Sequence, residues 1–139
     1  MILWVDDDTM SALDSFIDDI TDGGWDISLA QNPDEMWKIL ESSEKPINCI
    51  IMDIMLPTGE SIDPIASKMG ITSGLELIKQ LKNNEKYYNI PIIIFTIVDD
   101  PELSKYADDC EIPILKKQDV FQEDLIEEIK NLKIKKDRS

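Results

Sequence analysis

Side chains able to do chemistry together stand where apolar runs stop. Ile2–Val5 ends in Asp6-Asp7-Asp8, and Ile47–Met52 ends in Asp53. Pro91–Ile97 carries Thr96 near its end, and Lys116 follows Ile112–Leu115. If these runs are parallel strands of one open sheet, all of these polar groups fall at carboxyl ends, where such sheets bind ligands. Clustered carboxylates repel one another without a cation and favour a hard, oxygen-preferring divalent ion. Mg2+ suits such a rim, since it uses one or two carboxylates, several waters and a substrate phosphate. A carboxylate beside that ion is able to attack phosphorus and become an aspartyl-phosphate. The ion, the Lys116 ammonium and the Thr96 hydroxyl would then steady charge on the phosphoryl oxygens.

The elements that must position these groups alternate along the chain. After Ile2–Val5, the residues Met10, Leu13, Phe16, Ile17 and Ile20 recur at helical spacing, and Gly23-Gly24 closes that helix. Trp25–Ala30 reads as a strand. Asn32-Pro33-Asp34-Glu35 starts a helix, with proline at the first position and acids beside the positive end of the dipole. Ile47–Met52 and Pro91–Ile97 are near-continuous apolar strands of the kind buried on both faces of a parallel sheet. Leu75, Leu77, Ile78 and Leu81 mark a helix after Gly74, and Asp100-Pro101-Glu102 starts another that runs to about Asp108. A fifth strand at Ile112–Leu115 precedes a helix over about Asp119–Leu132. Alternation of this kind predicts an α/β fold: one doubly wound, five-stranded parallel sheet with five helices and right-handed crossovers. A single domain over residues 1–134 is expected, followed by a basic tail at 135–139. The segment Thr58–Ser73 breaks the rhythm as a sixteen-residue insertion between the third strand and its helix, where about 2–6 residues is usual. Within it, Asp63–Gly70 has the makings of a short capped helix.

Composition removes whole classes of function. The 139 residues include 29 Asp and Glu against 14 Lys and Arg, a net charge of −15, so a phosphate backbone would be repelled and no nucleic-acid partner is expected. With no histidine, Ser-His-Asp and Cys-His catalysis, His-ligated zinc and phosphohistidine carriage are excluded. Cys49 and Cys110 stand far apart and form no CxxC pair; a secreted chain of this size would more often carry several bridges, which favours a reducing cytoplasm. The N-terminus lacks the features of a signal peptide, and the longest apolar stretches fall far short of a bilayer span, so no membrane association is expected.

In this setting the sequence resembles the receiver domains of two-component response regulators. The resemblance rests on Ile2–Asp8, Ile50-Ile51-Met52-Asp53-Ile54-Met55-Leu56-Pro57, Gly74–Ile78, Pro91–Thr96 and Ile114-Leu115-Lys116, in the family's order over nearly the whole chain. It implies a flavodoxin-like fold in which Asp53 is the phosphoacceptor and Asp7 contacts Mg2+ directly. Asp6 would act through bound water, and the Met55 carbonyl would complete the protein ligands. Thr96 and Lys116 would sense and bind the phosphoryl group. The implied donor is a histidine kinase or a histidine phosphotransfer protein. With no output domain expected after the last helix, the signal would pass by binding a downstream protein, and a homodimer through the fourth and fifth elements is left open.

Four positions depart from the family pattern. Lys117 stands where proline usually follows the lysine, and a cis bond there would cost about 2.5–4 kcal/mol. The adjoining loop is therefore expected to differ, with Lys117 partly able to stand in for Lys116. Ile97 replaces a very small residue and is expected to narrow access to the acceptor. Pro113 replaces an aromatic that swings inward in relatives. The insertion lies on the same rim as Asp53. Two other readings are weighed against phosphoacceptance: a docking module that keeps the acids without turning over, and a haloacid-dehalogenase phosphohydrolase, whose opening Val5–Thr9 superficially resembles. The second leaves Asp53 without a role.

Overall fold

The computed structural model describes residues 1–7, 17, 18, 20–57, 59, 60, 62, 65, 72–119 and 122–138. Five strands pair in parallel: β1 (Ile2–Val5), β2 (Ile27–Ala30), β3 (Cys49–Met52), β4 (Ile92–Thr96) and β5 (Ile114–Lys116), in the order β2-β1-β3-β4-β5. A helix α1 is described at residues 17, 18 and 20–22. It is followed by α2 (Pro33–Ser42), α3 (Ser73–Lys82), α4 (Pro101–Cys110) and α5 (Gln122–Arg138). The expected five-stranded α/β fold is the fold observed. Among the described residues, no helix is long and apolar enough to cross a membrane.

Strand alternation divides the core in two. Leu3, Val5, Ile50, Met52, Ile92 and Ile94 pack with Met36 and Leu40 of α2, Leu77, Ile78 and Leu81 of α3, and Leu103 and Ala107 of α4. Ile2, Trp4, Cys49, Ile51, Ile93 and Phe95 face the other way, against Ile20 of α1 and Leu125 and Ile129 of α5. The continuous apolar runs are the inner strands, and every residue of β1, β3 and β4 is buried. The edge strands β2 and β5 are only partly covered.

Local chemistry sets the helix ends. Asn32 caps α2 by accepting the Glu35 N–H at 2.9 Å, and the Glu35 carboxylate accepts the Gln31 N–H at 2.7 Å. Asp100 caps α4, accepting the N–H groups of Glu102 and Leu103. Gly24 turns the chain after α1 with φ of 98°, a value that favours glycine.

Some boundaries differ from expectation. The second strand begins at Ile27 rather than Trp25, and the fifth begins two residues later than expected, at Ile114, and ends one residue later, at Lys116. The last helix begins at Gln122 and runs on to Arg138. Most of the 58–73 insertion, including the short helix expected at 63–70, lies outside the described residues, as does Asp8. The start of that segment is tied down, because Asp34 at the head of α2 accepts the Glu60 N–H at 3.2 Å.

Candidate functional site

The strand order reverses direction at β1, which lies between β2 and β3, and open parallel sheets bind ligands at the carboxyl ends beside such a reversal. Register aligns Val5 with Met52, so the residues that follow, Asp6 and Asp53, leave the sheet side by side. The Asp6 N–H donates to Ala30 O and the Asp53 N–H donates to Val5 O, each at 2.9 Å, which extends the ladder to both acids. Both residues are nearly closed to solvent, at 2% and 4% exposure, while Asp7 is exposed. Carboxylate oxygens of Asp6, Asp7 and Asp53 all lie within 4.8 Å of one another.

Such a set fits Mg2+ by the chemistry of its donors: three hard oxygens, two on rigid strand ends and one on the solvent side, where water ligands have room. Met55, whose carbonyl was expected among the ligands, lies two residues beyond Asp53 and is half-exposed.

Thr96 ends β4 and is fully buried. Its Oγ1 accepts the Val98 N–H at 3.2 Å and shares the Ile54 N–H, at 3.4 Å, with Asp53 Oδ1, at 2.7 Å. One backbone donor thus joins the hydroxyl to the acid. That donor is held by the close seating of α3, whose Gly74 N–H donates to Ile54 O at 2.8 Å.

The lysines divide differently from expectation. Lys116 turns its ammonium to the Val98 carbonyl oxygen and lies 3.8 Å from Asp99. The ammonium in the acidic pocket belongs to Lys117, 2.7 Å from Asp6 Oδ2 and 3.1 Å from Asp53 Oδ2. Pairing of Thr96 with Lys116 and Phe95 with Leu115 explains this. Leu115 and Phe95 belong to the α1–α5 face, and Lys117, two residues on, returns to it with its ammonium 5.7 Å from the Phe95 ring centre. The sequence signal available was the pair of adjacent lysines, whose directions follow only from the register with β4. No cis peptide bond is present among the described residues.

Burial, the largest single influence on Lys117, disfavours its charge. The hydrogen bond to Asp6 and the charges of Asp53 and Asp6 together outweigh that effect and hold its pKa above the usual lysine value. The pocket ammonium is therefore charged at neutral pH.

The family model of the response regulator receiver domain matches residues 2–130. The chain belongs to this family. Solved receivers share its fold. One is a CheY-like response regulator receiver domain protein from Methanospirillum hungatei JF-1, 24% identical, with a TM-score of 0.75 over 99% of this chain and 97% of that one. A receiver domain protein from Clostridium thermocellum is 21% identical, with a TM-score of 0.75 over 98% and 95%. The chemotaxis protein CheY4 of Vibrio cholerae is 20% identical, with a TM-score of 0.70 over 94% and 96%. No curated protein sequence matches the chain.

Receiver domains are, as a family, regulatory phosphoacceptor domains. This chain's departures are visible in the structure. Ile97, after Thr96, is 56% exposed. Pro113 has its carbonyl oxygen bonded to the Ile94 N–H, which fixes the start of β5.

Proposed function

We propose that this receiver accepts a phosphoryl group on Asp53 from a phosphohistidine donor, with Mg2+ in the pocket, and signals by binding a downstream protein. The observation that carries the reading is the convergence of Asp6, Asp7 and Asp53 at the mouth of β1 and β3, joined to Thr96 through one N–H. Asp53 offers an oxygen nucleophile on a fixed strand end. One of its carboxylate oxygens forms the new bond to phosphorus as the bond from phosphorus to the imidazole nitrogen breaks. The electron pair leaves with the imidazole, which belongs to a histidine kinase or a histidine phosphotransfer protein, since this chain has no histidine. Asp7 and Asp6 would hold Mg2+ together with Asp53 and the Met55 carbonyl, Asp6 through water. When bound, the ion neutralises charge that develops on the phosphoryl oxygens. The Thr96 hydroxyl supplies a hydrogen-bond donor beside the acceptor. Met55 and Ile97, both substantially exposed, provide apolar contact for a partner at the same rim.

Intact-mass measurement after treatment with phosphoramidate tests this reading, because its P–N bond imitates phosphohistidine. A gain of one phosphoryl group, dependent on Mg2+ and erased by Asp53→Asn, is expected. No gain would leave a docking module that works without phosphate. A gain that survives Asp53→Asn would place the chemistry elsewhere.

A further inference from the structure

The ammonium of Lys117 touches the same two carboxylates that a divalent ion would use. It is held there by more than charge. The Lys117 N–H donates to Thr96 O at 3.0 Å, and the Asp119 N–H closes a turn onto Lys116 O at 3.0 Å, so the backbone at the end of β5 is fixed. The Lys117 side chain is only 18% exposed and has its ammonium near the Phe95 ring. Its neighbour is committed elsewhere, with the Lys116 ammonium on the Val98 carbonyl.

We propose that Lys117, and not Lys116, is the tethered counter-ion of the acceptor pocket, the cation that Mg2+ must displace from Asp6 and Asp53 in order to bind. The inference rests on the reading of Asp53 as a Mg2+-dependent phosphoacceptor and assigns the lysine of that site. An ammonium is a compact point charge on a flexible stem, so it neutralises the acids without fixing their geometry and is able to withdraw when a divalent ion arrives. Two cations on the same oxygens repel each other, so the lysine lowers the affinity for Mg2+. After displacement the ammonium remains tethered beside Asp53, within reach of oxygens on a phosphoryl group there. Positive charge thus passes between a metal-free and a metal-loaded pocket without leaving Asp53 bare.

The test is Mg2+ binding to the full chain by calorimetry, with Mg2+ alone as the ligand. Lys117→Met should bind Mg2+ more tightly, on the order of tenfold, while Lys116→Met keeps the wild-type affinity. Lys117→Arg, which retains the charge, should not show the gain. Equal or weaker binding by Lys117→Met, or the same gain in Lys116→Met, overturns the inference; if wild type still gains a phosphoryl group on Asp53, the functional reading survives. Failure of every variant and of wild type to bind Mg2+ sinks both. If Lys117→Met does not fold, the Cε–Hε NMR signal of Lys117 in wild type decides. It is identified by its absence in Lys117→Arg and should move as Mg2+ is added while that of Lys116 stays. A stationary Lys117 signal in Mg2+-saturated protein overturns the inference.

Discussion

A Cβ on Gly74 would stand 2.1 Å from the backbone oxygen of Asp53, and 2.6 Å from the Ile54 Cα. The first turn of α3 is therefore seated on the main chain of the acceptor residue, with no room for a side chain. The obstacle is backbone, which cannot swing aside as a flexible side-chain end would. In Gly74→Ala the helix must lift from the strand, a cost of about 2–3 kcal/mol that exceeds the helix-propensity gain of about 1 kcal/mol. Lifting also disturbs Ile54, whose N–H donates to both Asp53 and Thr96. A lower urea midpoint and slower labelling by phosphoramidate are expected together. Unchanged values for both would show that the close seating is not needed.

The acids were legible because each terminates an uninterrupted apolar run. A charge following Ile50-Ile51-Met52 has few places to go other than the carboxyl end of a buried strand. The order of strands and helices was legible for the same reason, since the runs of β1, β3 and β4 are too apolar to lie anywhere but the middle. Lys117 was harder to read. Whether residue 116 or 117 turns inward depends on how a three-residue strand registers against β4, and that long-range fact is absent from local spacing. The extra length of α5 was equally hidden. Its basic end read as a tail, and helical continuation through Arg138 has no apolar face to announce it. Trp25 read as strand because aromatics favour strands, yet it lies between the Gly23-Gly24 turn and β2, and a Cβ on Gly23 would meet its ring at 2.7 Å.

Ile97 is 56% exposed directly after the Thr96 that adjoins the acceptor. Truncation of an exposed side chain leaves stability nearly unchanged, within about 0.5 kcal/mol. Ile97→Ala should therefore act on access alone and speed labelling by acetyl phosphate or phosphoramidate several-fold. Stopped-flow quenching of tryptophan fluorescence or timed mass measurement reads the rate. Equal rates in the variant and wild type would show that Ile97 does not obstruct the acceptor.

Three carboxylates share the pocket with one ammonium, that of Lys117, among the described residues. The metal-free pocket therefore carries excess negative charge. Asp53→Asn removes part of that excess, keeps an oxygen for the Ile54 N–H, and leaves Lys117 its shorter contact, to Asp6. The metal-free variant should melt higher than wild type by about 2–5 °C. Saturating Mg2+ should raise the wild-type melting temperature by mass action and raise that of Asp53→Asn less. Differential scanning fluorimetry with chelator and with Mg2+ checks both. A metal-free variant that melts several degrees lower would mean that pairing with Lys117 outweighs repulsion among the acids.

Cys49 is enclosed in the α1–α5 face of the sheet, and burial pushes its thiol from an ordinary value of 9.0 up to about 12. Cys110 is exposed. At neutral pH both the folded and unfolded chains carry Cys49 as a thiol, so its protonation stabilises neither over the other. Above about pH 9 the unfolded chain ionises while the folded chain keeps its proton, and folding loses free energy as pH climbs toward 12. Tyr106, pushed up to about 12 first by burial and then by its bond to Cys110, acts in the same direction. Stability from urea midpoints should thus fall between about pH 9 and about pH 11, and the fall should be shallower in Cys49→Ala, even though that variant starts lower for want of packing. The same enclosure should slow thiol reagents. One equivalent should react promptly, at Cys110, and the second only as fast as the protein opens. A parallel pH decline in wild type and Cys49→Ala would remove Cys49 from this account, and prompt reaction at both thiols would contradict its burial.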